Sequence, residues 1–325
     1  MGRLRSIFVA MTLSLAALAT PALGGESGRL YVVGLLFTGA GPDDPVVRAI
    51  GKGLADIGYV DGRDFRFEYR GAQGRLDRLQ GLADELVQLK VDVIVVGTEA
   101  ALVAAKQASA TTPIVANLFD YDPVASGVID TLAHPGGNVT GVFTRAPELI
   151  GKRIELLKEV IPSVSRVAVI YDSYGRRQLE AAHTAARSLG VELVPIELQP
   201  PYDYGESFKV AKQRKVTGAI LLYSAAFYPA RDSIARQAVV NRLPIIAYAS
   251  EFARAGLFAS YGSDAVASFS RLAYFIDRVL KGVAPKDLPV EQPTQLEMVV
   301  NLKTAKSLGL TVAPSVLMRA DEVIR

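Results

Sequence analysis

The residues best suited to bind a small molecule follow the apolar runs that predict β-strands. Thr98 and Ser224 each stand at the start of a predicted helix, where a hydroxyl and free backbone N–H groups suit a carboxylate. Acidic neighbours such as Glu99 and Glu251 suit an amino group. Open parallel sheets bind ligands beyond the carboxyl ends of their strands. The candidate ligand-binding residues at such strand ends are Thr38, Gly39, Thr98, Glu99, Asp120, Tyr121, Tyr171, Asp172, Ser224, Ala225, Ser250 and Glu251. The alternative is that Thr98 and Ser224 are helix caps only.

Aromatic residues fall at or near the same strand ends. They are Phe37, Phe119, Tyr121, Tyr171, Tyr223 and Tyr248. Aromatic side chains are favoured in strands in any case, so part of this set belongs to the core. The remainder would pack on the apolar body of a ligand. We therefore expect a small carboxylate with an apolar or aromatic body, such as an aromatic amino acid.

The motifs of common α/β enzymes are missing. The sequence has no G-x-S-x-G nucleophile motif and no G-x-x-x-x-G-K-[ST] phosphate loop. Gly39 and Gly41 resemble the start of a dinucleotide-binding turn, but Pro42 follows and the third glycine is missing, so a tight turn is the better interpretation. His134 and His183 are the only histidines, and they form no metal-binding motif. We expect no catalytic residue, no metal and no cofactor.

The sequence on either side of residues 120–142 shows one pattern twice. Residues 90–119 and residues 215–250 both run from a lysine through an apolar run, a small-residue turn, a helical stretch, a proline and a second apolar run. Two copies of this length do not make a solenoid, so the repeat predicts two similar α/β lobes. Residues 120–142, with several prolines and glycines, are predicted to be a hinge between them. A cleft between lobes is where ligands usually bind.

Buried strands and amphipathic helices alternate along the chain. Such alternation predicts parallel sheets with right-handed crossovers. The fold class is therefore α/β, with two Rossmann-like lobes whose parallel sheets are joined by a multi-strand hinge. Lobe 1 is predicted to hold residues 25–141 and about 262–283, and lobe 2 residues 142–261 and about 284–325.

The N-terminal segment has the features of a cleavable signal peptide. Arg3 and Arg5 precede the apolar run 7–19, and residues 22–24 (ALG) supply the small side chains that signal peptidase requires. We expect cleavage just before Gly25 and a periplasmic protein. A membrane anchor is the alternative, but the run is shorter than the roughly 20 apolar residues that span a bilayer.

Composition and charge narrow the function classes. The 325 residues are 50% hydrophobic, which suits two domains with sizeable cores. The formal net charge is +3, and it falls to +1 without Arg3 and Arg5, which argues against nucleic acid as a partner. The chain has no cysteine. This excludes disulfides, cysteine nucleophiles, cysteine metal sites and lipid attachment through cysteine.

Short motifs follow one another along most of the chain. They are residues 58–62 (GYVDG), 86–94 (LVQLKVDVI), 122–124 (DPV), 135–141 (PGGNVTG), 152–157 (KRIELL), 261–262 (YG), 288–293 (LPVEQP), 301–309 (NLKTAKSLG) and 319–323 (RADEV). In this order they resemble the exported substrate-binding proteins of ABC importers, including the tryptophan/tyrosine type. The resemblance implies a type I periplasmic-binding-protein fold, a small-molecule ligand and an ABC permease of the inner membrane as partner.

Together these observations predict a monomeric, non-enzymatic solute receptor that closes over its ligand. Ligand contacts from both lobes would stabilise the closed state over the open one. Two other classes stay open, namely a ligand-sensing exported domain and, less favoured, an enzyme with its active site in the cleft. Ligand turnover would identify an enzyme. Co-purification with a permease or with a sensor kinase would separate transport from sensing.

Overall fold

The protein has twelve strands and eleven α-helices in the residues that this computed structural model describes, which are 28–119, 122–144, 147–173, 175–224, 226–293 and 296–325. The predicted signal peptide, residues 1–24, lies outside them. The strands are β1 (Tyr31–Phe37), β2 (Phe65–Gly71), β3 (Val93–Val96), β4 (Ile114–Phe119), β5 (Val139–Thr144), β6 (Arg166–Tyr171), β7 (Glu192–Glu197), β8 (Gly218–Leu221), β9 (Ile245–Ala247), β10 (Ala259–Ser263), β11 (Leu296–Asn301) and β12 (Glu322–Ile324).

The helices alternate with these strands through most of the chain. They are α1 (Pro45–Asp56), α2 (Leu79–Gln88), α3 (Glu99–Ala108), α4 (Pro147–Val160), α5 (Arg176–Ser188), α6 (Tyr204–Gln213), α7 (Arg231–Val240), α8 (Ser250–Arg254), α9 (Ala265–Leu280), α10 (Leu302–Ser307) and α11 (Pro314–Leu317). Short 3₁₀ turns lie at Leu76–Arg78 and Pro285–Asp287. Over the described ranges, no helix has the length and apolar character needed to span a membrane.

The strands form two separate sheets, one in each lobe. The sheet of lobe 1 has the order β2-β1-β3-β4-β5, and the sheet of lobe 2 has the order β12-β11-β10-β9-β8-β6-β7. In the part of the chain that the structure describes, paired strands are parallel except β10 and β11. This confirms the predicted α/β fold class with two lobes. The exact residue boundaries drawn between the lobes remain a prediction.

The repeat predicted from the sequence appears as the same strand–helix–strand unit in each lobe. In lobe 1 the unit is β3-α3-β4, and in lobe 2 it is β8-α7-β9. The lysines that begin the two copies share an uncommon backbone conformation, with φ of 53° at Lys90 and 59° at Lys215. Few residues other than glycine adopt positive φ. The similarity between the two copies therefore includes the turn that precedes each buried strand.

Helix α9 returns from lobe 2 to cover the sheet of lobe 1. Its inner face, which includes Phe269, Leu272 and Ile276, packs into the same apolar core as β1 and α1. The axes of α1 and α9 approach closely at Gly53, where a Cβ atom would lie 2.5 Å from the Ser270 carbonyl oxygen. Asp264 caps the start of α9 by accepting a hydrogen bond from the Ala267 N–H.

In the described elements, the order of strands and helices gives three passages between the lobes, after β5, after β10 and before β11. Residues 139–142 were predicted to belong to the hinge, but they form part of β5, which pairs with β4. Gly141 has a φ of 134°, and a Cβ atom there would lie 2.1 Å from the Ala116 carbonyl oxygen. Position 141 therefore requires glycine because β4 and β5 approach closely there. The glycine at this position does not mark a flexible linker.

The third crossing is anchored to lobe 1 until just before it reaches β11. The Glu291 N–H donates to the Gly141 carbonyl at 3.0 Å, and the Phe143 N–H donates to the Glu291 carbonyl at 3.0 Å. The Arg271 guanidinium of α9 makes two hydrogen bonds to the Glu291 carboxylate, at 2.8 and 2.6 Å. The segment up to Glu291 therefore moves with lobe 1.

Candidate functional site

A cavity lies between the lobes at the carboxyl ends of their parallel strands. It encloses about 590 Å³ of space not filled by atoms, including its opening to solvent. Both lobes and α9 contribute to its walls. Open parallel sheets typically bind ligands at this position. The residues that line it are Phe37, Thr38, Gly39, Ala40, Val46, Gly97, Thr98, Phe119, Tyr223, Tyr228, Tyr248, Ala249, Ser263, Ala265 and Phe269. Of these described lining residues, none carries a charge.

Aromatic rings form a continuous wall of this cavity from one lobe to the other. Phe269 of α9 lies 5.7 Å from Phe37 and 6.4 Å from Phe119 between ring centroids. Phe119 in turn lies 5.6 Å from Tyr223 of lobe 2, and Tyr223 lies 5.2 Å from Tyr248. Rings at these distances interact favourably with one another and with a further ring placed among them. The wall suits a flat aromatic body.

Two threonine hydroxyls of the cavity wall, on Thr38 and Thr98, lie near helix starts, and we call this part of the wall the rim. The hydroxyl oxygens of Thr38 and Thr98 are 2.7 Å apart and share a hydrogen bond. Thr98 also caps α3, because its Oγ1 accepts from the Ala101 N–H at 3.2 Å. Val46 and Ala265 lie in the first turns of α1 and α9. Three helices of 10 to 16 residues therefore direct their positive ends towards one cavity.

Two tyrosines of lobe 2 reach across the cavity to lobe 1. The Tyr223 hydroxyl donates to the Gly97 carbonyl at 3.4 Å, and the Tyr228 hydroxyl donates to Asp44 Oδ1 at 3.5 Å. Tyr228 also packs against apolar cores of both lobes. The lobes are thus in direct contact around the cavity.

Burial and neighbouring charges shift the ionisation of groups beside the cavity. Burial, with the charges of Glu251 and Asp44, raises the pKa of the Tyr228 hydroxyl well above its ordinary value. Burial likewise raises the pKa of Tyr248. Burial also raises the pKa of Glu251, and its Oε2 atom has no hydrogen-bond partner among the described residues. Because their pKa values are raised, Tyr228 and Tyr248 remain neutral hydrogen-bond donors at physiological pH.

The structure brings three of the predicted site residues together in the cavity wall, Thr38, Gly39 and Thr98. Glu99 lies in a neighbouring groove between α2, α3 and Ser173 of lobe 2. Asp120, Tyr121 and Ala225 lie outside the described residues.

Among the described residues, the predicted site residues of lobe 2 do not line the cavity. Asp172 and Ser224 are buried, and the Ser224 hydroxyl donates to Asp172 Oδ2 at 2.5 Å. The prediction that Ser224 opens a helix is wrong, because α7 begins only at Arg231 after a turn. Tyr171 is buried in the core on the far side of the sheet.

Ser250 and Glu251 begin α8, directly after Ala249 in the wall. The Ser250 hydroxyl accepts a hydrogen bond from Arg254 Nη1 at 2.9 Å. The Glu251 carboxyl group is close enough to the Tyr228 hydroxyl to raise its pKa, and Tyr228 lines the cavity. Whether these residues contact ligand remains a prediction.

Several lining residues were not among the predicted site residues. Tyr228 lies in the turn before α7, Ser263 ends β10, and Phe269 lies on α9. The strand-end rule that selected Thr38 would also have selected Ser263. Gly262, just before it, allows β10 to approach Tyr248, since a Cβ atom there would lie 1.9 Å from the Tyr248 carbonyl oxygen. Across the described ranges, no group of three or more histidine, aspartate or glutamate side chains is arranged to hold a metal ion.

These features define a two-lobed α/β protein with an aromatic cavity between the lobes. The chain matches the family described as ABC transporter substrate binding protein over residues 41–324 and belongs to that family. This confirms the resemblance drawn from the sequence motifs. Its strands and helices also match those of type I periplasmic binding proteins of known structure.

Relatives with described ligands include binders of aromatic amino acids. The chain is 26% identical over 266 residues to a protein from Clostridioides difficile (strain R20291) named "Tyrosine-binding protein", covering 80% of this chain and 75% of that protein. It is 25% identical to an ABC domain from Streptococcus pneumonia solved in complex with L-Trp, with a TM-score of 0.80, covering 90% of this chain and 100% of that one. A conserved domain protein from Vibrio cholerae is 26% identical, with a TM-score of 0.83 and coverage of 91% and 100%.

Proposed function

We propose that this protein is the exported solute-binding component of an ABC importer and captures an aromatic amino acid in the cavity between its lobes. The observation that carries the proposal is the composition of the cavity. Aromatic rings form its walls, while hydroxyl groups and helix N-termini form its rim. An apolar pocket with a few polar anchors is typical of small-molecule sites. The names of the relatives support the same class of ligand.

The carboxylate of the ligand would sit at the rim beside Thr38 and Thr98. Their hydroxyls are already paired with each other at 2.7 Å, so one of the two hydrogens is free to donate to a bound oxygen. The first N–H groups of α3 have no partner within the helix. Together with the positive ends of α1 and α9 they favour an anion without an arginine or lysine in the wall.

The amino group of the ligand would face Tyr228, beside which two carboxyl groups lie outside the cavity wall. Asp44 and Glu251 approach the Tyr228 hydroxyl from opposite lobes. The unpaired Oε2 atom of Glu251 can accept a charge-assisted hydrogen bond. An ammonium group here would form an ion pair with the Glu251 carboxylate. The pair would offset the cost of burying the negative charge.

Release to a permease completes the proposed role. Closure holds the ligand because both lobes contact it, and a permease that separates the lobes would release it. Membership of the ABC transporter substrate-binding family supports this role. The predicted signal peptide supports a periplasmic location. The description of the family as substrate-binding proteins supports a role without catalysis.

Titration calorimetry against the common amino acids, simple aromatic acids and a neutral sugar tests the proposal. We expect saturable binding of an aromatic amino acid at a stoichiometry of one, with weaker binding of the matching amino-acid amide. Tight binding of the sugar and no binding of any aromatic amino acid would overturn it.

A further inference from the structure

The side chain of Asn117, in β4, is fully buried without a partner. Its exposed fraction is 0%. Neither Oδ1 nor Nδ2 has a hydrogen-bond partner in the described part of the chain. Buried amides are nearly always paired in native proteins, because an unpaired one destabilises the fold. Such a side chain requires a partner from outside the chain, either a ligand or a water molecule.

Asn117 lies next to residues of the aromatic cavity wall, although it does not itself line the cavity. The register of β3 and β4 pairs Val96 with Ala116, which places Asn117 directly beside Gly97. Side chains two residues apart on a strand point to the same face, so Asn117 shares its face with Phe119. Gly97 and Phe119 both line the cavity. Asn117 is one step deeper in lobe 1 than Thr98 at the rim.

The glycine beside Asn117 leaves room for the cavity rings. A Cβ atom at Gly97 would lie 2.9 Å from the Phe37 ring and 3.1 Å from the Phe269 ring. The two rings therefore lie directly over Gly97, on the same face of the sheet as Asn117. The Asn117 amide is therefore close to the rings against which a ligand ring would pack.

We propose that Asn117 is a specificity-determining residue, and that its amide hydrogen-bonds a polar group on the ring of the ligand. This inference rests on the proposed function and narrows it to aromatic amino acids whose ring carries a hydrogen-bonding group. A phenol both donates and accepts, and an indole N–H donates, so either matches an amide with a free oxygen and a free nitrogen. A phenyl ring leaves the amide unpaired. Sites built to hydrogen-bond a substrate group reject analogues that lack it.

The test measures affinity for two ligand pairs that differ only in the polar group. The pairs are L-tyrosine with L-phenylalanine, and L-tryptophan with its benzothiophene analogue, in which sulfur replaces the indole N–H. We expect the unmodified protein to prefer the polar member of at least one pair by about tenfold or more. Leucine has a volume similar to that of asparagine and no polar side-chain atoms. In the Asn117→Leu variant, the ratio of the affinities for the polar and the apolar ligand should therefore fall towards one. Binding of the apolar member should tighten because no amide is left unpaired.

Thr140→Val is the matched control. Thr140 in the adjacent strand β5 is also fully buried, but its hydroxyl donates to the Leu288 carbonyl at 2.9 Å and is thus satisfied within the protein. This variant should keep the full preference. Asn117→Ala provides the same readout if the leucine variant does not fold.

Two results would overturn the assignment of Asn117. One is an unchanged preference in both Asn117 variants, as expected if a buried water satisfies the amide. The other is equal affinity of the unmodified protein for both members of each pair. Failure of the proposed function looks different, since no aromatic amino acid would then bind the unmodified protein.

Discussion

The Tyr223 hydroxyl of lobe 2 donates a hydrogen bond to the Gly97 carbonyl of lobe 1 at 3.4 Å, although 126 residues separate them. Both residues line the cavity, so the same two residues shape the cavity and connect the lobes. Any ligand that orders the Tyr223 ring therefore favours the closed arrangement. Closure of this kind follows from differential affinity for the closed state.

Tyr223→Phe should weaken ligand binding by about twofold to tenfold, the range expected for one neutral hydrogen bond. The phenyl ring keeps the contacts with Phe119 and Tyr248, so the loss isolates the interlobe hydrogen bond. Calorimetry measures the affinity, and small-angle scattering should show a smaller radius of gyration on adding ligand. Tyr204→Phe, in the core of lobe 2 away from the cavity, is the control and should bind normally. A radius that stays constant at saturation would contradict closure.

Thr98→Ala should reduce the preference for a carboxylate ligand over its amide. The variant loses the hydroxyl that bonds Thr38 and caps α3, and loss of such a cap also costs about 1 kcal/mol of stability. Thr98→Ser restores the hydroxyl and should restore the preference. The measurement is the ratio of affinities for an aromatic amino acid and its amide.

Ser224→Ala provides the comparison on the other side of the cleft. Its hydroxyl bonds Asp172 and the Ala226 N–H within the protein. We expect lower thermal stability with little change in the carboxylate preference. Equal loss of the preference in the Ser224 and Thr98 variants would show that both hydroxyls contact the ligand, as the sequence predicts. No loss in either would exclude this carboxylate site.

Glu251→Gln should stabilise the ligand-free protein at neutral pH. Burial raises the pKa of Glu251 above its ordinary value of 4.5, so the folded protein holds this proton more tightly than the unfolded chain. Its contribution to stability is therefore greatest below pH 4.5 and declines as the pH rises through the raised pKa. The difference in melting temperature between the variant and the parent protein should appear near neutral pH and vanish in acid. A difference that does not depend on pH would contradict this account, and weaker ligand binding in the variant would support ammonium pairing.

Much of the fold follows from the hydrophobic pattern, because most strands here are buried on both faces and most helices are amphipathic. The same pattern selected Thr38 and Thr98 at strand ends, and both line the cavity, since the carboxyl ends of neighbouring parallel strands meet at one edge. Whether they contact ligand stays a prediction. It failed at β5, where Gly141 allows close strand contact and was interpreted as part of a hinge.

The rest of the site depends on tertiary relationships that spacing does not encode. Phe269 reaches the cavity only because α9 crosses back from lobe 2 to pack on lobe 1. In the sequence, its position on the apolar face of a helix is that of an ordinary core residue. Ser224 matches Thr98 in the repeat, but a turn inserted before α7 removes the helix start. The unpaired amide of Asn117 is recognisable only once its neighbours are known.

The N-terminus of the protein from its native host should begin at or near Gly25. The prediction rests on Arg3, Arg5 and the apolar run 7–19. N-terminal sequencing and intact mass measure it, with the protein expressed without an export system as the control. A soluble chain from the native host that still carries Met1 would contradict export with cleavage.

The central claim is that the cavity selects an aromatic amino acid, and native mass spectrometry tests it most directly. The protein, unfolded and refolded to remove any bound molecule, would be incubated with an equimolar mixture of the common amino acids. Because the ligand is identified by the mass it adds, the result does not depend on which candidate was chosen in advance. We predict a single adduct whose mass is that of tyrosine or tryptophan. An adduct of an aliphatic or charged amino acid, or no adduct at all, would contradict the account.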